Sequence, residues 1–449
     1  MNTGDVLNVE ITKLTSTGQG LAKHDGFVIF VENACPNDKL KVKITKVNKN
    51  YANAKIEEIL TPSESRVLPF CPMQKVCGAC QIQYIDYDHQ LEFKRQIVQD
   101  IMNTIGHLHI DIPKTIPSPQ KICYRNKIQY PIGQTKNSKR ILAGYYKASS
   151  HEIVNIKYCP IQPRICDDII DFIRNKAREC NIEGYCEKTS TGLLRHVVIR
   201  HSNKNKECLV CLVVNSQIAD KNLTKFAKDL YEKFDEISGV CINFNKKKTN
   251  VILGSKTICL YGNSYIKEEI CGKKFLIGAD TFFQVNPESA ENIYNYVKDF
   301  IKLNYKSTTV LDAYAGISAI GICLSDVSKQ VVSIEENDKA VNLAKKTANE
   351  NGISNIEINS GDAGKFLKNE KRKFDIIVLD PPRKGCTQES LNYAMKLCKG
   401  HIIYVSCNPA TLARDLNYLK VNGGEIISIQ PFDMFCHTYH IENVAIIKI

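Results

Sequence analysis

Hydrophobic and polar positions alternate differently in three parts of the chain. Over residues 1–60, short segments such as DVLNVEITKL and KLKVKITKV alternate or cluster β-forming residues, and Gly-containing turns separate them. Four or five short strands in about sixty residues are typical of a small barrel of the OB type. We therefore predict an N-terminal β-barrel domain over residues 1–60, followed by the linker sequence TPSES.

Residues 61–275 combine both periodicities. The segment HQLEFKRQIVQDIMNTIG has helical spacing, whereas LLRHVVIRHS and ECLVCLVVN have the composition of buried strands. Two further helical segments, DDIIDFIRNKAREC and KNLTKFAKDLYEKF, lie between strand-like segments. The pattern predicts an α+β domain over residues 61–275. We expect its helix within residues 86–110 to pack on the domain that follows.

From residue 276 onwards, strand-like and helical segments alternate regularly. Near-continuous apolar segments, from TVLDAYAG to NVAIIKI, are separated by helical segments such as DKAVNLAKKTANENG and ATLARDLNYLK. Apolar strands joined by helices indicate a parallel sheet that is covered on both faces. Residues 276–449 are therefore predicted to form an α/β doubly wound, Rossmann-like domain, and the fold class is multidomain.

Composition excludes several classes of protein. Hydrophobic residues make up 43% and charged residues 24% of the chain, which is close to the globular average and excludes wholesale disorder. No apolar run approaches the length that spans a bilayer, and the start MNTGDVLNVE lacks the apolar core of a signal peptide. Nineteen cysteines without an export signal indicate a reducing compartment. We expect a cytoplasmic protein with no membrane association and no obligate protein partner.

Positive charge is concentrated in one part of the chain. The formal net charge is +12, and residues 61–275 account for all of it because the flanking segments are close to neutral. A basic domain beside a neutral one is typical of a polyanion-binding platform attached to a separate chemical unit. A solvated basic surface in a lysine-rich protein is the alternative. We expect nucleic acid as the partner, with an affinity that falls steeply as salt rises.

Acidic residues follow successive strands of the predicted C-terminal sheet. Asp312 lies in the turn VLDAYAGISAIG, Glu335 follows the second strand, Asp362 the third and Asp380 the fourth. Each alone could be a helix N-cap, but together they follow the sheet edge where ligands bind in such folds. An acid after the second strand suits ribose hydroxyls, and no GxGxxG turn for a pyrophosphate is present. The four acids therefore predict S-adenosyl-L-methionine, a nucleoside with a sulfonium and no phosphate.

A cysteine occupies the turn after the fifth predicted strand. Cys407 lies in SCNPATLARD, where backbone N–H groups and the helix dipole favour a thiolate. A buried structural thiol is the alternative, but Cys407 also lies at the edge where the methyl donor is expected. Glu442, in HTYHIENVAII before the last strand, is the best candidate for a general base. His437 and His440 are the rival candidates.

Several segments resemble the motifs of a known family. DAYAGISAIG, LDPPRKG, SCNPATLARD and HTYHIENVA, together with FFQVNP and YRNKIQYPIG, are similar to those of the RNA uracil-5 methyltransferases. The resemblance covers essentially the whole chain. It implies that Cys407 is the nucleophile and that Glu442 is the base. It also implies five residues that bind the methyl donor, which are Gln284, Tyr314, Glu335, Asp362 and Asp380.

The chemistry of uracil explains why such an enzyme needs a thiolate. Carbon 5 of uracil is a weak nucleophile until a thiolate adds to carbon 6 and converts the ring to an enolate. Carbon 5 then attacks the methyl sulfonium, and a base removes its proton so that the cysteine is eliminated. Methylation of an exocyclic amine, which needs no cysteine, is one alternative. An RNA-binding assembly factor with a vestigial active site is another.

Four cysteines form a candidate metal site. Cys71, Cys77 and Cys80 lie in CPMQKVCGAC, and Cys159 follows in IKYCPI. Four thiolates can hold zinc or a 4Fe–4S cluster, and spacing alone does not distinguish them. The spacing also differs from that of radical S-adenosylmethionine enzymes. By resemblance, the family members that modify large-subunit (23S) ribosomal RNA carry a TRAM barrel and an iron–sulfur cluster, and those that modify transfer RNA lack both.

The resemblance therefore implies a 4Fe–4S cluster and a product of 5-methyluridine in large-subunit ribosomal RNA. The same chemistry on transfer RNA is the alternative. Two segments of the basic domain, YRNK and LLRHVVIR, mix cations with side chains that can stack on bases, which suits single-stranded RNA. An ordinary basic strand surface would have the same composition. The candidate RNA contacts are Arg125, Lys127, Arg195 and His196.

Overall fold

The N-terminal part of the chain forms a small β domain. The structure is a computed structural model that describes residues 1–449. Six strands form one sheet around a core of 11 buried residues. They are β1 (Val6–Glu10), β2 (Lys13–Leu14), β3 (Gly20–His24), β4 (Phe27–Val31), β5 (Lys39–Val47) and β6 (Tyr51–Thr61). The order in the sheet is β1-β5-β6-β4-β3-β2, and only the pair β4 and β6 is parallel.

A buried ion pair attaches this domain to the chain that follows. The Asp38 side chain is fully buried and accepts hydrogen bonds from the N–H groups of Cys35 and Ser63. Arg66 NH2 lies 2.7 Å from Asp38 Oδ2. A buried carboxylate is tolerated when it is paired and hydrogen-bonded in this way. The TPSES segment is therefore held against the β domain.

The first helix, α1 (Tyr87–Thr104), packs on the C-terminal domain. The Asp86 side chain caps it by accepting hydrogen bonds from two N–H groups of the first turn. Its buried face, which includes Ile97 and Val98, shares a core of 36 buried residues with the strands of the C-terminal sheet. The helix is therefore part of the C-terminal body, although it precedes the central domain in the sequence.

The central domain is a six-stranded sheet with two helices. Its strands are β7 (Lys127–Gln134), β8 (Ile141–Ala143), β9 (Leu194–Ser202), β10 (Glu207–Val214), β11 (Ile237–Phe244) and β12 (Lys256–Gly262), and its helices are α2 (Arg164–Glu179) and α3 (Lys221–Lys233). The order is β12-β11-β10-β9-β7-β8, with only β10 and β11 parallel. The two helices share a core of 26 buried residues with the sheet.

A two-stranded hairpin joins the central and C-terminal domains. Its strands are β13 (Tyr265–Ile270) and β14 (Lys273–Gly278). Buried hairpin residues such as Phe275 belong to a core of 32 residues that also contains residues of the C-terminal sheet. The boundary predicted after residue 275 therefore falls inside β14, because the hairpin is packed against the domain that follows it.

The C-terminal domain has a seven-stranded sheet. Its strands are β15 (Thr309–Ala313), β16 (Gln330–Glu335), β17 (Ile356–Ser360), β18 (Phe374–Leu379), β19 (Cys398–Ser406), β20 (Glu425–Phe432) and β21 (Glu442–Lys448). The order is β17-β16-β15-β18-β19-β21-β20. Strand β21 runs antiparallel to both of its neighbours. The prediction of an all-parallel sheet is therefore wrong for the last strand, which returns between β19 and β20.

Helices connect the strands of this sheet. They are α4 (Pro287–Asn304), α5 (Ala319–Leu324), α6 (Asp338–Glu350), α7 (Ala363–Asn369), α8 (Gln388–Leu397) and α9 (Pro409–Val421). Two of them begin in the same way, because Asn286 and Asn408 are N-caps and the following prolines occupy the first helical position. The motifs FFQVNP and SCNP therefore each place functional candidates directly before a helix start. None of the helices combines the length and the hydropathy that crossing a lipid bilayer requires.

Candidate active site

One large cavity lies at the carboxyl ends of the parallel strands. Its volume is about 870 Å³, within the range of pockets that bind small molecules. The cavity brings together seven side chains that the sequence singles out, each from a separate segment of the chain. They are Gln284, Tyr314, Glu335, Asp362, Asp380, Cys407 and Glu442.

The turn after β15 is the most constrained part of the cavity wall. Tyr314 adopts a φ of 64°, and Gly316 adopts 58°, a left-handed conformation that a bulky residue seldom takes. Asp312 Oδ2 accepts a hydrogen bond of 3.0 Å from the N–H of Gly321. A Cβ at Gly321 would lie 2.8 Å from that same oxygen. Because Gly321 has no side chain, α5 can pack directly against the buried Asp312 carboxyl.

Two acids of the cavity wall are held by backbone N–H groups. Glu335 Oε2 accepts from the N–H of Gly316 at 2.8 Å, and Oε1 accepts from the N–H of Asn337 at 2.9 Å. Asp362 caps α7, because its Oδ1 accepts from the N–H of Lys365 at 2.7 Å. Asp362 is thus a helix N-cap and also a residue of the cavity wall. These bonds orient both carboxylates before any ligand arrives.

The SCNP turn holds the DPPR loop beside it. Cys407 directly follows β19, and the next residue, Asn408, donates from Nδ2 to the carbonyl oxygen of Arg383 at 3.1 Å. Thr411 Oγ1 donates to the same carbonyl at 3.2 Å. Arg383 and Cys407 line the same cavity, and Arg383 lowers the pKa of the Cys407 thiol. The two motifs therefore form one structural unit around the thiol.

Strand pairing brings Glu442 next to Cys407. Glu442 is the first residue of β21, and its neighbour Asn443 pairs with Ser406, the last residue of β19. On the other side, Glu442 pairs with Phe432 of β20. Glu442 is 3% exposed. This register places Glu442, the predicted base, beside the turn in which Cys407, the predicted nucleophile, follows β19.

Burial raises the pKa values of the ionisable groups in the cavity. Desolvation raises the pKa of the Cys407 thiol to about 11, and the Glu442 and Asp380 carboxylates add to the rise. Desolvation also raises the pKa of Asp380 to about 7. The pKa of Glu442 is raised well above its ordinary value by burial and by Asp380. Arg383 lowers the pKa of both Cys407 and Glu442.

These directions correct one expectation from the sequence. The helix start after Cys407 favours a thiolate, but burial beside two carboxyls outweighs it. The thiol is therefore protonated at neutral pH in the free protein. Arg383 is the group that offsets this effect, and the sequence reasoning did not single it out. Its position directly after the two prolines of LDPPRKG was the available signal.

Asn126 of the central domain holds one segment of the cavity wall in place. Asn126, the third residue of YRNK, is buried and donates from Nδ2 to the carbonyl oxygen of Gln284 at 3.1 Å. Its backbone N–H donates to the carbonyl of Val285 at 2.9 Å. The YRNK motif therefore holds the FFQVNP segment in place. Phe282, in the same segment, lines the cavity and is 63% exposed, so a flat face is available at its mouth.

The predicted RNA contacts lie deeper than expected. Arg195 is 5% exposed, and its NH1 donates to the carbonyl oxygens of Asn245 and Lys247. Its place on β9, an interior strand of the sheet, explains this burial, and the structure does not support Arg195 as a surface contact. Burial lowers the pKa of His196 to about 4. His196 is therefore neutral at pH 7.

Arg125 and Lys127 are also partly enclosed. The Arg125 Nε donates to the carbonyl oxygen of Lys127 at 2.9 Å, and its guanidinium lies 5.8 Å from the centroid of the Tyr145 ring. Desolvation and the nearby cation Arg200 lower the pKa of Lys127 to about 7. Contact of either residue with RNA stays a prediction.

The four predicted cysteine ligands line one small pocket. Cys71, Cys77, Cys80 and Cys159 share its wall with mostly apolar neighbours such as Tyr145. Burial raises the pKa of Cys159 to about 12, and the other thiols of the pocket contribute to the rise. No group of three or more His, Cys, Asp or Glu side chains in residues 1–449 is arranged to hold a single metal ion. The pocket is therefore a shared cavity of thiols.

Comparison with known proteins identifies the class and then the family. Residues 86–448 match the family described as tRNA (Uracil-5-)-methyltransferase, and residues 2–56 match the TRAM domain. The chain therefore belongs to the RNA uracil-5-methyltransferase family. It is an RNA (uracil-5-)-methyltransferase that uses S-adenosylmethionine. The predictions of family, enzyme class, N-terminal TRAM-like domain and C-terminal methyltransferase fold are confirmed.

Several relatives and one solved structure match nearly the whole length of the chain. A Halalkalibacterium halodurans protein named as an RNA methyltransferase is 38% identical, over 100% of this chain and 98% of the relative. A Clostridium acetobutylicum RNA methyltransferase is 37% identical, over 98% and 96%. The structure is also similar to Pyrococcus abyssi tRNA (uracil-54, C5)-methyltransferase in complex with S-adenosyl-L-homocysteine. That similarity has a TM-score of 0.79 and 25% identity, over 98% of this chain and 100% of the other.

Replacement of Arg383 is expected to make the Cys407 thiol less acidic. Arg383→Gln removes a cation that lowers the thiol pKa, while the desolvation that raises it stays. The thiolate is the form that iodoacetamide alkylates. Alkylation of Cys407, followed by mass spectrometry across alkaline pH, should therefore need a higher pH in the variant. Lys384→Gln, which removes the neighbouring cation, should leave the profile unchanged; an unchanged Arg383→Gln profile would contradict the assignment.

Proposed function

We propose that this protein methylates carbon 5 of a specific uridine in large-subunit ribosomal RNA, with Cys407 as the nucleophile and Glu442 as the general base. One observation carries the proposal. One cavity contains the thiol of Cys407, the carboxyls of Asp380 and Glu442, whose pKa values are raised, and the guanidinium of Arg383. The same cavity contains Glu335 and Asp362, the acids that suit a nucleoside. Such perturbed groups in one cleft are characteristic of active sites.

The cavity has the groups that S-adenosyl-L-methionine requires. We assign Glu335 to the ribose hydroxyls and Asp362 to the adenine amino group, because both carboxylates are already oriented by backbone N–H groups. Tyr314 and Gln284 line the same space, and Asp380 adds negative charge that suits a sulfonium. When bound, the sulfonium supplies an electrophilic methyl group.

Cys407 activates the uracil ring. Attack of its sulfur on carbon 6 forms an S–C bond and moves the ring electrons towards the oxygen on carbon 4. The thiol first transfers its proton to the Asp380 carboxylate, which is partly ionised at neutral pH because its pKa is about 7. The positive charge of Arg383 favours the resulting thiolate. A neutral carboxyl on Asp380 can donate a hydrogen bond to the oxygen that gains charge. Burial keeps such a carboxyl available near neutral pH.

Glu442 completes the reaction. After carbon 5 has taken the methyl group, it still carries its proton. The Glu442 carboxylate removes that proton, the electrons re-form the ring double bond, and the S–C bond to Cys407 breaks. Because desolvation favours the neutral form of Glu442, its ionised form is a stronger base than an exposed carboxylate. His437 and His440 are neutral at pH 7, since burial lowers their pKa values.

Two substitutions test these roles. Cys407→Ala should abolish both adduct formation and turnover, while the fold remains, because the sulfur that attacks carbon 6 is gone. Glu442→Gln should lower turnover by about 10²–10⁴-fold and trap a methylated covalent adduct, because the carbon 5 proton is not removed. Denaturing gel electrophoresis with a methyl-labelled donor detects the adduct. Absence of the adduct in Glu442→Gln would exclude its role as the base.

The proposal also names the class of RNA that is methylated. The combination of a TRAM domain, a basic central domain and four thiols in one pocket favours large-subunit ribosomal RNA, by the resemblance stated above. Transfer RNA is the second candidate, because the Pyrococcus abyssi tRNA enzyme aligns with 98% of this chain. That coverage includes most of the N-terminal domain. A domain of this type therefore does not by itself separate the two substrate classes.

Mapping of the product distinguishes the two substrates. In cells that lack the gene, we expect one or more 5-methyluridines to disappear from large-subunit ribosomal RNA, whereas transfer RNA keeps its own. Mass spectrometry of RNA fragments measures both pools in the same cells. Return of the modification with the wild-type gene, but not with Cys407→Ala, is the control. Loss confined to transfer RNA would overturn the ribosomal assignment.

For the cysteine pocket we propose a 4Fe–4S cluster held by Cys71, Cys77, Cys80 and Cys159. The four thiols line one cavity, and deprotonation by a metal would offset the cost that burial imposes on the thiolates. Four thiols in one pocket suit zinc as well as a cluster. The family resemblance is what favours the cluster. Such a cluster would stabilise the central domain.

Metal analysis tests the cluster. Protein purified without oxygen should contain about four iron and four inorganic sulfide per chain and should absorb visible light. Cys77→Ser should lose iron and solubility but keep its affinity for S-adenosylmethionine, because Cys77 lies outside the active-site cavity. Cys186→Ser, at an exposed cysteine, is the matched control. A colourless protein with one zinc per chain would contradict the proposal.

A further inference from the structure

The segment that leads to Glu442 is held by other parts of the chain. We call residues 433–441 the base segment, because it links the end of β20 to Glu442. Five successive carbonyl oxygens, from Asp433 to His437, each accept a hydrogen bond of 3.0 to 3.2 Å from outside the segment. In chain order the donors are Ser289 Oγ, Asn286 Nδ2, Lys94 Nζ, Tyr124 OH and the N–H of Ile82.

One of these donors also forms a fully buried ion pair. Lys94 Nζ lies 2.7 Å from Asp433 Oδ1, and the two side chains are 1% and 0% exposed. Tyr87 OH donates to the other carboxylate oxygen at 2.8 Å. The same hydroxyl accepts a hydrogen bond from the N–H of Ser118 at 2.9 Å. A lysine is almost never fully buried without such partners.

The ion pair connects the packed helix α1 to the base segment, which is neither helix nor strand. Lys94 and Tyr87 belong to α1, which is packed into the core of the C-terminal domain. Asp433 begins a connection without helix or strand, whose backbone would otherwise keep its conformational freedom. Lys94 also donates to the carbonyl oxygen of Phe435, whose side chain lines the active-site cavity. One ammonium group therefore fixes two positions of the segment.

We propose that Lys94 and Asp433 are positioning residues for the general base, holding the base segment so that the Glu442 carboxyl reaches the proton on carbon 5. The inference rests on the proposed role of Glu442. Stability alone explains the pair poorly, because a well-packed apolar pair of similar volume is often as stable as a buried ion pair. A charged pair at the start of the base segment provides directional bonds that an apolar pair lacks.

A double substitution tests the inference. Lys94→Met with Asp433→Asn removes both charges together, so that neither is left unpaired in the core. We expect kcat to fall by about 100-fold, as a displacement of a reacting group by about 1 Å does. The KM for S-adenosylmethionine should stay within about twofold, since the donor-binding acids are not touched. The methylated covalent adduct should accumulate as it does in Glu442→Gln, because attack by Cys407 is intact.

Matched variants separate positioning from general damage. Lys94→Arg keeps the positive charge and should recover part of the lost kcat. Lys298→Met removes the cation of another ion pair, with Asp326, away from the base segment, and should not accumulate adduct. Tyr87→Phe removes the 2.8 Å bond to Asp433 and the bond from the N–H of Ser118, but it leaves the ion pair in place. It should lengthen the lifetime of the adduct even if the double variant fails to fold.

The outcomes distinguish this inference from the proposed function. If Glu442→Gln traps the adduct but the double variant and Tyr87→Phe release product at the wild-type rate, the positioning role is overturned alone. If the double variant loses donor affinity and adduct formation together, the pair is merely structural, and the inference is also overturned. If Glu442→Gln traps no adduct, the proposed base is wrong, and the inference falls with it.

Discussion

The active site depends on one strand pairing. Strand β21 enters the sheet antiparallel between β19 and β20, and its register sets Asn443 opposite Ser406. Because side chains alternate between the two faces of a strand, a slip by one residue would turn Glu442 away from the Cys407 turn. Buried residues on both sides of β21 specify that register. The chemistry of the cavity therefore depends on an arrangement that apolar packing maintains.

Desolvation then sets the protonation states within that arrangement. Cys407, Asp380 and Glu442 are all driven towards their neutral forms by burial. The Asp380 carboxylate further raises the pKa of Cys407 and Glu442, and the Glu442 carboxylate further raises that of Cys407. Arg383 is the cation that opposes this effect. The pKa of Asp380, at about 7, allows that carboxyl both to hold and to release a proton at neutral pH. The cavity therefore favours transfer of protons between its own groups during the reaction.

Several asparagines of the family motifs support the site without lining the cavity. Asn126 of YRNK holds the FFQVNP segment, and Asn408 of SCNP holds the DPPR loop. Asn286 caps α4 and also donates to the base segment. Arg195, which the sequence assigned to RNA, instead donates to backbone carbonyl oxygens inside the domain. Cations in a motif indicate RNA only when their side chains reach the surface, and a strand pattern alone does not show which face is covered.

The sequence by itself determined the class of each domain, the strands of the C-terminal sheet, and seven residues that line one cavity, because these depend on local periodicity and on short motifs. It did not predict β11, the direction of β21, or the partnership of Lys94 with Asp433. Local pattern does not encode the pairing of segments hundreds of residues apart. Only the tertiary structure decided the raised pKa of Cys407 and the burial of the basic strand residues, because desolvation depends on everything that packs around a group.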